Sequence, residues 1–182
     1  MRSSLFLLLA VAALGCASNP IASVSVSPEA TSAGPISAEV ENGLFRLQFE
    51  LGSATWRADE PITGFARVER LGAGDTISGC GPLGFVYKEL GGDHRHMEPV
   101  WPACCGPTDL TQGDEITSPL NKSGSIAEGP DAAFWTPFFE GDDVRLPAGI
   151  WEITAVTSFH DGPECAGSNQ RLTVPLQVTV EG

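Results

Sequence analysis

The sequence predicts an all-β fold, an antiparallel β-sandwich. Three observations carry that expectation. Several windows alternate apolar and polar residues, the mark of a half-buried strand. Turn signals separate those windows, in a chain with 21 Gly and 14 Pro among 182 residues. No window shows the apolar stripe of an amphipathic helix, so no helix is expected. Strands divided by turns, without helices, close as a sandwich or barrel.

The chain opens MRSSLFLLLAVAALGC. Arg2 supplies a short positive start, and residues 5–14 form an unbroken apolar run. Ten residues match the core of a signal peptide and fall short of the roughly 20 a membrane-spanning helix needs. The run ends in Ala13, Leu14, Gly15 and Cys16. This quartet resembles the lipobox of bacterial lipoproteins. The resemblance implies that residues 1–15 are cleaved and that the Cys16 thiol carries a diacylglycerol, with palmitate-type acylation of the new amino terminus. Two or more acyl chains anchor stably where one does not. The implied location is the cell envelope. Ala17 and Ser18 follow the cysteine rather than Asp, which implies the outer membrane in a cell with two membranes.

Cleavage before Cys16 would leave 167 of the 182 residues and change the formal charge from −13 to −14 by removing Arg2. That length suits one domain with a real core. The acidic balance excludes nucleic acid as a partner and disfavours adhesion to anionic lipid headgroups. Residues 16–42 are rich in Ser, Ala and Pro and read as a lipidated cysteine followed by a flexible tether, with the folded domain at 43–182.

Within the domain, LFRLQFEL at 44–51 sets Phe45, Leu47, Phe49 and Leu51 against Arg46, Gln48 and Glu50. After a turn at Asp59, Glu60 and Pro61, residues 62–71 form a second strand. ISGC and LGFVYKEL, from 77 to 90, form a third, open to a break at Gly81 and Pro82. A turn at Gln112, Gly113 and Asp114 precedes a short strand around Ile116. Finally IWEITAVTSF and RLTVPLQVTV should pair as a hairpin with a long loop, 160–170. In the first of these strands Trp151, Ile153, Ala155 and Thr157 share a face; in the second Leu172, Val174, Leu176, Val178 and Val180 do. Pro175 has no amide hydrogen and marks an edge or a bulge.

Three stretches of this layout resemble the immunoglobulin-like β-sandwich of bacterial lipoproteins, including domains of the intracellular proteinase inhibitor type. They are DEPITG at 59–64; GFVYKELGG at 84–92 with Val100 and Trp101; and TQGDE at 111–115 with Trp135 and LPAGIW at 146–151. The resemblance spans 44–180. It implies an immunoglobulin-like sandwich with a second strand led in by the first stretch and a return strand at Val100 and Trp101. Protease inhibition by some members makes an inhibitor one alternative for this chain, by analogy of fold.

Cys80, Cys104, Cys105 and Cys165 remain after Cys16. An exported chain with an even cysteine count predicts two disulfides. Bonding adjacent Cys104 and Cys105 is strained, so Cys80 and Cys165 each take one of the pair, in either order. A second alternative is copper or zinc binding through the 94–105 loop, with His94, His96, Met97, Cys104, Cys105 and His160 as soft donors. Arg95 between the histidines opposes it, and cysteines held in disulfides are not thiolate ligands. Glu140, Asp142 and Asp143 could gather a calcium ion but read as a loop before a strand. The aromatic run AFWTPFF at 133–139 reads as packing over one sandwich edge, or as an apolar binding patch if its rings are exposed. No G-x-S-x-G, S-x-x-K or H-E-x-x-H motif appears, so neither catalytic residues nor a metal or cofactor is expected. The sequence therefore predicts a lipid-anchored envelope protein with a non-enzymatic binding or structural role and a possible protein partner.

Overall fold

The computed structural model describes residues 34–73, 77–79, 83–101, 106–108, 110–122, 124, 131–160, 162 and 168–182. Eleven strands and one helix occur among them. The strands are Ile36–Glu41 (β1), Phe45–Leu51 (β2), Thr55–Arg57 (β3), Gly64–Arg70 (β4), Ile77–Gly79 (β5) and Gly84–Glu89 (β6). Then come His96–Met97 (β7), Gly106–Thr108 (β8), Glu115–Pro119 (β9), Gly149–His160 (β10) and Asn169–Glu181 (β11). The helix is Ala132–Phe139 (α1).

One sheet runs β1-β2-β4-β9, antiparallel throughout. In the other, β3 pairs parallel with β11, and β11 pairs antiparallel with β10. The far flank of β10 is shared. Residues 151–156 pair with β6, which continues to β7, and residues 159 and 160 pair with β5, which continues to β8. The two sheets pack face to face as an all-β sandwich.

Alternation built the core. Phe45, Leu47, Phe49 and Leu51 are all buried, while Arg46, Gln48 and Glu50 face outward on the same strand. Leu172, Val174, Leu176, Val178 and Val180 are buried on β11, opposite Trp151, Ile153, Ala155 and Thr157 on β10. Phe45 stacks on Phe159 with ring centroids 4.7 Å apart, and Phe49 meets Phe85 at 5.7 Å, so rings from the two sheets interlock. Each fully buried large side chain contributes about 1.5–3 kcal/mol.

The final hairpin forms as expected, with Gly149 opposite Val180 and His160 opposite Asn169. Pro175 behaves as an edge residue. β3 reaches only Thr179–Glu181 of β11, so the flank of β11 away from β10 has no described ladder partner at Pro175. The third predicted strand is indeed interrupted, as β5 and β6.

Four expectations need correction. Residues 36–41 are not tether but strand: Ala38 and Val40 are buried, and β1 pairs with β2 from Ile36↔Leu51 to Glu41↔Arg46. The folded domain thus starts before residue 43. Second, no return strand forms at Val100 and Trp101. Pro99 and Trp101 instead close over Gly84, where a Cβ would lie 2.9 Å from the Pro99 ring and 3.1 Å from the Trp101 ring. Third, β3, β7 and β8 were not anticipated; at two or three residues each they are too short to show a period. Fourth, a helix exists. α1 carries Pro137 in its second turn. Two turns have few internal hydrogen bonds to lose, and burial of Trp135 and Phe138 outweighs the proline.

Gly64 opens β4 where a Cβ would stand 2.3 Å from the Glu50 carbonyl oxygen. Gly64→Ala is therefore expected to lower stability by about 1–3 kcal/mol in urea unfolding, the usual cost of overpacking. Gly91→Ala, with nothing within 4 Å, should stay within about 0.5 kcal/mol of the native chain.

Candidate functional site

α1 lies against the inward-facing rings of β6 and β10. Trp135 meets Trp151 edge-on at 6.2 Å, and Phe138 meets Tyr87 edge-on at 5.1 Å. Trp135 and Phe138 are three positions apart, so they share one helix face and touch at 5.3 Å. Phe134 stacks on Trp151 at 6.1 Å. Of the AFWTPFF run, Trp135 and Phe138 are buried, Phe134 and Phe139 half-buried. The segment packs on the sandwich, and part of its ring surface faces outward.

Two cations hold the helix in place. The Arg95 guanidinium lies 4.0 Å from the Phe134 ring centroid and pairs with Glu89 at 3.2 Å and with Asp93. Glu89 is only 8% exposed, so this ion pair is largely withdrawn from water. Gly92 makes the pair possible, because its φ is +66° and a Cβ would sit 2.7 Å from Glu89 Oε1. At the other end, Lys122 Nζ donates to the carbonyls of Glu140 and Gly141 at 3.0 Å each, holding the chain just past the helix C-terminus. Lys122 also sits 5.3 Å from the Phe138 ring.

Beside the helix runs an open-sided apolar groove of about 550 Å³. α1 contributes Ala133, Phe134, Pro137 and Phe138 to one wall; Ala58, Leu146 and Pro147 form the other, with Arg145. The second wall is fixed by backbone: Ile62 N donates to Val144 O at 2.8 Å, and Trp151 Nε1 donates to Pro147 O at 3.0 Å. Arg145 donates to Asp143 at 3.0 Å and to the Asp59 carbonyl. Volume and lining resemble those of ligand sites, which are mostly apolar with a few polar groups.

Among its described residues the histidine loop does not assemble a donor set. His94 adopts a left-handed φ of +56°, so the loop turns there and the two histidines do not alternate along a strand. Both are exposed; His96 lies 3.6 Å from Glu98. Met97 is buried opposite Tyr87. His96 aligns through Lys88 with Glu152, and His160 lies eight residues further along β10, roughly 26 Å at the rise of a strand. Among the described residues, no three His, Cys, Asp or Glu side chains gather to hold a metal ion, and Glu140, Asp142 and Asp143 stay exposed on the loop after α1. Cys16, Cys80, Cys104, Cys105 and Cys165 lie outside the described residues. Their described neighbours are informative: β5 pairs with β8 in the register Gly79↔Gly106.

Tyr87 is the chain's single tyrosine. Its hydroxyl donates to the Asn121 carbonyl at 2.5 Å, and burial pushes its ionisation well above the ordinary range. The unfolded chain releases this proton near pH 10 while the folded chain keeps it. Stability from this group is whole below about pH 10 and declines as pH rises beyond it. Absorbance titration should show no phenolate at pH 10–11 until the chain unfolds; a step near pH 10 in the folded protein would contradict the buried phenol. Trp135→Ala should cost about 3–5 kcal/mol in chemical denaturation, the range for a buried ring in a packed cluster.

No protein-family model matches the chain, and no curated protein matches it.

Proposed function

We propose that this is a lipid-anchored cell-envelope protein whose β-sandwich has a non-enzymatic binding or structural role. One observation carries the reading: a ten-residue apolar run is followed directly by Gly15 and Cys16, and the first strand among the described residues begins at Ile36. If the 19 residues between Cys16 and Ile36 act as the tether their Ser-, Ala- and Pro-rich sequence predicts, a flexible chain of that length would span about 22–26 Å. That length lets a folded domain stand clear of the headgroups while remaining beside the membrane. Among the described residues no helix is long and apolar enough to cross a bilayer; the attachment proposed here is the Cys16 lipid. The apolar groove beside α1 supports a binding role over a purely structural one. The immunoglobulin-like identity of the sandwich belongs to the same reading, on the sequence resemblance.

Metabolic labelling with a palmitate analogue and membrane fractionation test the anchor. The native chain should take up label and sediment with membranes. Cys16→Ser should lose both. A labelled or membrane-bound Cys16→Ser chain would refute the assignment.

In the same reading the chain carries two disulfides, Cys80–Cys105 and Cys104–Cys165. The register Gly79↔Gly106 favours that order: the same antiparallel ladder, if carried one step further, would set residue 80 opposite residue 105. Cys104 is then left for Cys165. Each bond would stabilise the fold by about 2–4 kcal/mol. Non-reducing peptide mapping should recover those two linked pairs and no free thiol; Cys80–Cys104 linkage would overturn the register argument.

A further inference from the structure

We propose that the free edge of β1 takes up an extended segment of a partner protein as a further antiparallel strand, one in which lysines or arginines alternate with apolar residues. This deepens the binding role proposed above and rests on it.

β1 ends its sheet, and its flank away from β2 has no described ladder partner. Asn42 N donates to Phe45 O, which fixes the parity of the ladder. The amides and carbonyls of Ile36, Ala38 and Val40 therefore turn to β2, and those of Ser37, Glu39 and Glu41 turn outward. Alternating donors and acceptors along an open edge are a template for another strand. The other described edges suit this less. Thr179 N donates to Ala54 O on the free flank of β11, so Pro175, four residues before it, lies on that flank without an amide to offer. On β9, Leu120 N donates to Gly64 O, so Pro119 falls on the free flank and leaves only the amides of Glu115 and Thr117 there. β3, β7 and β8 are two or three residues long.

Charge selects the occupant. Glu39 and Glu41 are exposed on the outer face, level with Gln48 and Arg46. Arg46 is shared between Glu41 and Glu69, and among the described residues Glu39 has no ion pair. The outer face of this sheet carries Glu39, Glu41, Glu50, Glu69 and Glu115 against Arg46 and Arg67. Arg57 and Arg171 lie on the outer face of the other sheet, opposite in parity to buried Trp56 and Leu172. A second copy of β1 at full overlap would set Glu39 against Glu39, and like charges directly across a ladder destabilise it. A strand with cations opposite Glu39 and Glu41 reverses the sign. Between those cations its side chains turn to the inner face, beside Ala38 and Val40, which are buried where β1 packs over β11. Apolar residues suit those positions.

The test uses the full chain in nanodiscs of zwitterionic lipid, with empty discs as the blank. If Cys16 proves unmodified, the same titration runs on the chain in solution, so failure of the anchor and failure of the edge are separate results. Labelled peptides of equal length, alternating Val/Lys and Val/Glu, are titrated by fluorescence anisotropy at physiological ionic strength. Val/Lys should bind about tenfold more tightly, or better. In an antiparallel pair the residue opposite Glu39 turns its own amide to β1. N-methylation of the lysine amides should therefore abolish binding, and N-methylation of the valine amides should leave it within about twofold. Glu39→Lys should weaken Val/Lys about tenfold. Ser37→Pro, which removes an outward amide and no ladder bond, should weaken it about fivefold. Thr117→Pro, the same change on the β9 edge, should leave it unchanged. A urea midpoint close to that of the native chain shows that each variant is folded. Equal binding of Val/Lys and Val/Glu, equal or reversed effects of the two methylations, or equal losses from Ser37→Pro and Thr117→Pro would overturn the proposal. So would a chain that sediments as a dimer until Ser37→Pro dissociates it, which would give the edge to a second copy.

Discussion

The pairing of β10 with β11 is the constraint on which the rest of the molecule depends. Twelve positions pair in one register, from Gly149↔Val180 to His160↔Asn169. Because side chains alternate, that register decides every inward position on both strands at once; a slip of one residue would expose all of them. β10 then offers its other flank to β6 and β5, and β11 offers its end to β3. Trp151, the seat of the aromatic cluster, is held by this ladder and by its indole bond to Pro147. Both the core and the groove wall descend from one hairpin.

Much of this was legible because long strands with one buried face leave a period-two trace. The traces in β2, β10 and β11 name their buried residues correctly. β1 carries the same trace, Ile36, Ala38 and Val40 against Ser37, Glu39 and Glu41. It was hidden by composition, since Ala is small and the flanking chain is rich in Ser and Pro. The parallel pairing of β3 with β11 could not be read from residues 55–57. Three residues hold no period, and their partner lies more than a hundred positions away.

The site was less legible than the fold. AFWTPFF announces aromatic packing, but its proline argues against the helix it forms. What overrides propensity is tertiary: Trp151, Tyr87 and Arg95 arrive from other elements and meet the rings three residues apart. The second wall of the groove is less visible still. Ala58, Leu146 and Pro147 share no motif, and only the folded chain brings them beside α1. The histidine loop shows the reverse case. Among its described donors, His94, His96 and Met97 are close in sequence, yet Met97 turns into the core opposite Tyr87 and His160 lies eight residues along β10 from the position level with His96. Proximity along a chain is a poor guide to coordination when strands carry residues away at over 3 Å each.

Ile36 aligns with Leu51, and Leu51 with Gly64. Gly52 bonds to Thr63, and Ile62 to Val144, two residues before Leu146. The described chain therefore enters the sandwich at the end that also carries the groove. In mechanical terms, tension between the leading chain and anything held in the groove crosses only a few hydrogen-bonded steps. The opposite end of the sandwich, where Phe45 stacks on Phe159, lies outside that load path. A pull of this kind would strain one rim and leave the bulk of the core unstretched, so the domain would transmit force as a hinge pin rather than as a spring.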